Sequence, residues 1–286
     1  MTGIAIVDKP AGWTSHDVVA KLRRALGEKR IGHGGTLDPM ATGVLPVFVG
    51  RATRAVSFLE SADKEYLAEV RFGLVTDTQD TTGKVLSESS LRPSEGEVEA
   101  ALRGFLGLQE QLPPLYSAVK VEGRKLYQYA RAGREVERKP RQIEISAIEP
   151  LGFGPGGDYR FRLTVSKGTY VRTVCHDLGQ RLGCGGAMSG LRRLRAGAFS
   201  IGEASPLEAF LAEGGQELLR PLDSIFRACP SLTLGEEEAR RVRCGNDFAT
   251  DSETGTYRLY DSAGAFLALG AASAGRMKTI KSFFEV

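Results

Sequence analysis

Asp38 lies in the run Gly32-His33-Gly34-Gly35-Thr36-Leu37-Asp38-Pro39-Met40-Ala41-Thr42-Gly43, a setting that could hold a carboxylate in one place. The glycines open backbone angles that other residues avoid, and Pro39 stiffens the position after the acid. A fixed carboxylate can serve as a nucleophile or stabilise developing positive charge. On these residues alone the commoner role of such an aspartate is turn chemistry, and no reaction is named. The three histidines, His16, His33 and His176, lack metal-ligand spacing. The four cysteines, Cys175, Cys184, Cys229 and Cys244, lack the paired spacing of a zinc site and read as free thiols of a reducing compartment. There is no G-x-x-x-x-G-K-[ST] phosphate cradle.

The net charge of +3 says less than its distribution. Residues 160–195 carry eight Lys or Arg and one acid, Asp177, whereas residues 201–238 carry eight acids and two arginines. A second basic stretch, 120–141, contains Tyr127 and Tyr129. Cations interleaved with aromatics suit a phosphate chain whose loose bases need stacking partners.

The elements that must position these groups follow from periodicity. Residues 3–8 read as a strand, and Ser15 is placed to cap a helix through Val18, Leu22 and Leu26 that Gly27 stops. The loop around Asp38 feeds an apolar strand at 44–49. Tyr66, Ala68, Val70 and Phe72 alternate as a half-buried strand, and 76–83 is a turn region. Ser94 and Glu97 form a capping box before a helix, and 124–132 is a short basic helix. Strands follow at 143–148 and 161–165, then a helix from near Thr169 to Gly183 through Val171, Val174, Leu178 and Leu182. Irregular alternation of this kind predicts an α+β fold with a mixed, largely antiparallel sheet and flanking helices. Past Phe226, a small, mainly-β C-terminal domain is expected, with a helix at 236–243 and strands at 257–260 and 266–269, dividing the chain into 1–226 and 229–286. No apolar run is long enough for a membrane helix, and the N-terminus lacks a signal-peptide pattern, so a cytoplasmic protein is expected.

The twelve-residue run around Asp38 resembles the signature of the TruB-type tRNA pseudouridine synthases, G-H-x-G-x-L-D-P-x-A-x-G, and meets every fixed position. Three further pieces fall in the family's order: Asp8-Lys9-Pro10 with Gly12, Thr14 and Ser15; Lys64-Glu65-Tyr66; and Ser166-Lys167-Gly168-Thr169-Tyr170-Val171-Arg172-Thr173. The resemblance covers about residues 3–200. It implies isomerisation of uridine-55 in the T-loop of tRNA, with Asp38 acting at the ribose and Arg172 pairing with it, lowering its pKa and keeping it ionised. It implies that Tyr66 stacks on the uracil, Tyr170 and Leu191 line its pocket, and His33 helps open the RNA loop. Lys64, Lys167, Arg192 and Arg193 are expected on backbone phosphates.

No cofactor and no metal are expected, because isomerisation needs neither redox equivalents nor energy input. The partner is the T-arm of tRNA, with no obligate protein partner or guide RNA. The C-terminal domain loosely resembles the PUA RNA-binding appendage of these enzymes, departing at Gly245-Asn246-Asp247 where Gly-Gln is frequent. A different class of function, a tRNA-binding folding chaperone with idle or secondary catalysis, is separated from the enzyme by tritium release from 5-tritiated uridine.

Overall fold

The computed structural model describes residues 1–134 and 136–284. A mixed sheet of ten strands forms the body. Its path runs Ser205–Pro206, Gly3–Lys9, Thr42–Val49, Gly186–Ala196, Lys64–Phe72, Tyr159–Val165, Arg141–Phe153, Gly107–Gln111. Two short strands pair beside this path, Ile31–His33 on Thr42–Val49 and Phe199–Ser200 on Gly186–Ala196. Among the described residues of this sheet only the Gly3–Lys9/Ser205–Pro206 and Thr42–Val49/Gly186–Ala196 pairings are parallel, so the expected mixed, largely antiparallel α+β fold is what forms.

Alternation sets which side chains reach the core. Along Lys64–Phe72 every second residue from Lys64 is buried, as the two-residue period of a strand requires. One face of the sheet packs under the helices Ser15–Ala25, Glu95–Arg103 and Val171–Arg181, through residues such as Val18, Leu22, Leu102, Val174 and Leu178. Ile4, Ile6, Val44 and Phe48 belong to a second apolar cluster.

One helix cap differs from expectation. Thr14, not Ser15, caps Ser15–Ala25: its hydroxyl accepts from the Asp17 N–H while the Asp17 carboxylate accepts from the Thr14 N–H. The helix expected from near Thr169 begins at Val171, after the Thr169 hydroxyl closes a turn on the Ser166 carbonyl at 3.0 Å. The Ser94–Glu97 capping box forms as expected.

The C-terminal sheet orders its five strands Ser231–Thr233, Gly255–Tyr260, Phe266–Ser273, Arg276–Ser282, Phe248–Ala249, with the helix Glu236–Arg243 packed on it through Ala239 and Val242. It joins the second cluster of the body through Leu269 and Phe283. Phe266 lies 6.2 Å from Phe226 and 5.3 Å from Phe283 between ring centroids.

Candidate active site

The cleft opens where the parallel pair meets. Thr42–Val49 and Gly186–Ala196 share only two register pairs, Arg192 with Thr42 and Arg193 with Gly43. Gly43 has φ +99°, and a Cβ there would lie 2.2 Å from the Arg193 carbonyl, so glycine lets the two strands touch. Beside this junction a cavity of ≈ 600 Å³ is lined by Asp38, Lys64, Tyr66, Tyr170, Arg172 and Leu191, all expected site residues, together with Tyr116. Strand register explains the shared face. Tyr66 lies opposite both Leu163 and Arg193, and Leu191 lies opposite Ala68, two residues further along the same strand.

Arg172 reaches the cavity floor from the first turn of its helix, where its side chain is 7% exposed. Its Nε lies 2.9 Å from Asp38 Oδ2. Its other nitrogens donate to the carbonyls of Thr78 at 3.0 Å and Tyr116 at 2.9 Å, so the fork is held on three sides. Nη1 also lies 3.8 Å from Oδ2 of Asp80, whose Oδ1 accepts from Thr78, from the Thr82 hydroxyl and from the Thr82 N–H. The turn region 76–83 thus carries a second carboxylate to the guanidinium. Its sequence showed only turn chemistry, and nothing in its spacing pointed to the cleft.

Asp38 itself is recessed but not sealed, with 36% of its side chain open to the cleft. Its pKa is raised above 3.8, the reverse of the expected direction. Burial is the largest cause and Asp80 adds to it, together outweighing the guanidinium that pulls the other way.

Three of the four side chains expected on backbone phosphates direct their nitrogens to groups of the protein itself. Lys64 is 7% exposed, and its ammonium donates to the carbonyls of Leu59, Glu60 and Ala62 at 3.1, 2.7 and 2.6 Å, closing the end of the helix Val56–Glu60. Arg193 is 1% exposed and holds the loop of Asp38, donating to the carbonyls of Val44 at 2.7 Å and Gly35 at 3.2 Å. Arg192 forms a two-pronged pair with Asp8 at 3.1 and 2.7 Å. Charge in a sequence does not show where each nitrogen ends, and here carbonyls and a carboxylate already occupy these donors. Lys167 is exposed in the turn between Ser166 and Gly168, which line the cavity.

His33 does not line the cavity. Its ring lies 5.3 Å from that of His16, which does line it, and its Nδ1 is buried without a hydrogen-bond partner among the described residues. Burial first, then His16 and Arg193, push its pKa down to about 4, so it is neutral at pH 7.

Sequence reasoning assigned no role to Lys9, Gln111 or Tyr116. Lys9 is fully buried and donates to the carbonyls of Pro10, Trp13 and Pro39 at 2.9, 2.6 and 3.3 Å, and burial pushes its pKa down to about 8. Its signal was present in the Asp8-Lys9-Pro10 segment, which showed its place in the order but not its task. Gln111 clamps the backbone of Tyr170 both ways, at 2.8 and 3.0 Å, and so fixes the start of the helix that carries Arg172. Tyr127, from the basic stretch 120–141, lines the cavity with Lys125 and lies beneath Arg131 at 5.4 Å. Among the described residues no group of three or more His, Cys, Asp or Glu is arranged to hold a metal ion.

A carboxylate braced by a guanidinium, below a pocket walled by tyrosines and aliphatic side chains, suits catalysis on a flat ring attached to a sugar. Residues 23–171 match the TruB family pseudouridylate synthase (N terminal domain), and residues 172–227 match the tRNA pseudouridylate synthase B C-terminal domain. A protein of Opitutus terrae named tRNA pseudouridine synthase B is 50% identical over 81% of this chain and 96% of its own length. Proteins of that name from Shouchella clausii and Thermobifida fusca are each 42% identical over 98% of this chain, and over 96% and 98% of their own. Two solved structures align over 99% of this chain and 85% of theirs: a Cbf5-Nop10-Gar1 complex, with TM-score 0.75 and 28% identity, and an H/ACA RNP bound to a substrate RNA containing 2′-deoxyuridine, with TM-score 0.74 and 25% identity. The chain belongs to the TruB family of pseudouridylate synthases.

Proposed function

We propose that this protein converts uridine-55 in the T-loop of tRNA to pseudouridine, acting without a guide RNA. The observation that carries the reading is the 2.9 Å pair between Asp38 and Arg172, assembled at the floor of the cleft from distant parts of the chain. The target nucleotide must leave its stack before C1′ can be reached, so it enters the cavity extruded. Asp38 then presents its carboxylate to C1′ as the C1′–N1 bond breaks. Arg172 fixes the direction of that carboxylate and favours its anionic form against the burial that opposes it.

The freed uracil stays between Tyr66, Tyr170 and Leu191 while it turns. C1′ then bonds to C5, which gives up its hydrogen as N1 gains one, so atoms balance and no cofactor is consumed. Lys167 and Lys125 meet phosphates at the rim, while His33 occupies space vacated by the flipped nucleotide. We assign residues 1–226 to the catalytic unit and 229–286 to a PUA-like unit, its last two residues lying outside those described. Arg240 and Arg276 of this unit each pair with an exposed acid of the same unit at 2.6 Å, and such exposed pairs are weak enough for phosphate to compete.

The test is tritium release from 5-tritiated uridine in unmodified tRNA at catalytic protein levels. Wild-type protein releases tritium, and Asp38→Asn loses at least about 10³-fold in rate while keeping tRNA affinity. Full activity of Asp38→Asn would reject the assignment.

A further inference from the structure

Both neighbours of Asp38 are gripped by the stretch 9–15. On one side the Pro39 carbonyl accepts from the Gly12 N–H at 2.8 Å and from Lys9 Nζ at 3.3 Å. On the other, Ser15 Oγ donates to the Leu37 carbonyl at 3.1 Å and accepts from the Leu37 N–H at 2.9 Å. One hydroxyl therefore satisfies both backbone groups of the residue that precedes the carboxylate. Ser15 is 1% exposed and Leu37 3%, so these bonds are made away from solvent and losing them leaves buried polar groups unpaired.

The placement is not a by-product of helix capping. Ser15 is the first residue of the helix Ser15–Ala25, but Thr14 caps it and the Thr14–Asp17 box is complete. A serine inside a helix ordinarily bonds back to its own helix or faces solvent. Here the hydroxyl reaches a loop 22 residues away.

We propose that Ser15 is a positioning residue for the reaction, acting on Asp38 through Leu37. Fixing the N–H and C=O of Leu37 fixes the peptide plane that enters Asp38, and with it the direction in which the carboxylate leaves the loop. The pair with Arg172 and the approach to C1′ both depend on that direction. A misplacement of about 1 Å costs on the order of 100-fold in rate. The inference rests on the assignment of Asp38 to C1′.

The experiment compares Ser15→Ala with Thr14→Ala, which removes the neighbouring cap and leaves the Leu37 contacts in place. In single-turnover assays on tRNA, Ser15→Ala slows the chemical step about 10- to 100-fold with tRNA affinity within about twofold of wild type. Thr14→Ala lowers the melting temperature and keeps the rate. Ser15→Thr, which restores the hydroxyl, recovers most of what Ser15→Ala loses.

Titration of Asp38 by carboxyl-carbon NMR needs no substrate, so it separates this inference from the assigned reaction. Loosening the pair with Arg172 leaves burial less opposed, so the Asp38 pKa rises in Ser15→Ala and stays put in Thr14→Ala. An unchanged Asp38 titration in Ser15→Ala overturns the proposal even if wild-type protein proves inert on tRNA. A rate loss in Ser15→Ala matched by Thr14→Ala at equal loss of stability overturns it as well.

Discussion

The cations beneath the cleft and the cations around its rim have opposite surroundings. Beneath it, Lys9, Lys64, Arg172 and Arg193 are at most 7% exposed, and their donors end on backbone carbonyls or on Asp38. Around it, Lys167 and Arg131 are exposed, the first between Ser166 and Gly168 and the second over Tyr127, all three of which line the cavity. Arg172 and Arg193 share the basic stretch 160–195 with Lys167, yet burial divides their work. A desolvated cation must be paired, and once paired it fixes geometry. A hydrated one remains free to exchange water for phosphate.

The comparison is broken most directly at Arg172. Lysine keeps the charge but loses the fork that meets Asp38, Thr78 and Tyr116 together. Arg172→Lys is expected to slow single-turnover pseudouridine formation on the order of 100- to 1000-fold, because the anionic group at C1′ loses its brace. A variant within tenfold of wild type would show that charge alone suffices.

Next come the struts. Lys64→Met keeps the stem and leaves three carbonyls without their ammonium, which costs about 1–3 kcal/mol. The denaturant midpoint reads that loss, while the salt dependence of tRNA binding stays that of wild type. A change in salt slope would return Lys64 to the phosphate contacts and erase the division.

How much of this was legible in the sequence depended on the kind of relation involved. The strand Lys64–Phe72 and the capping box at Ser94 were open to reading because alternation and capping are local. The glycine-laced loop marked Asp38, since unusual backbone needs leave unusual residues. The partnership with Arg172 came through only as a family resemblance, because periodicity does not encode contacts between remote segments. The pKa of Asp38 ran opposite to expectation for a related reason. A sequence shows the neighbouring charge but not the burial that outweighs it. The cap was read at Ser15 instead of Thr14 for want of one fact, that the Ser15 hydroxyl is taken by Leu37.

His33 sharpens the comparison through pH. Its folded pKa is pushed down to about 4 from 6.5, so between those values the unfolded chain binds a proton that the folded chain refuses. Stability contributed by the neutral ring is present above pH 6.5 and is lost as pH falls towards 4. The midpoint of urea unfolding is expected to drop more steeply across that window in wild type than in His33→Gln. Equal slopes would mean that folded and unfolded chains bind the His33 proton alike, so that burial does not hold the ring neutral.

The smallest effect belongs to the rim. Lys167 is exposed in a glycine-containing turn, and its neighbours Ser166 and Gly168 line the cavity. Lys167→Ala removes at most one phosphate contact, so tRNA affinity is expected to fall a few-fold and the slope of log affinity against log salt to shrink by about 1. The chemical step at saturating tRNA and the denaturant midpoint stay at wild-type values, the reverse of the Lys64→Met result. Measuring both variants at two salt concentrations tests the division from both sides. If Lys167→Ala lowers stability without touching the salt slope, a hydrated lysine is doing a buried one's work, and exposure is not what separates the two groups.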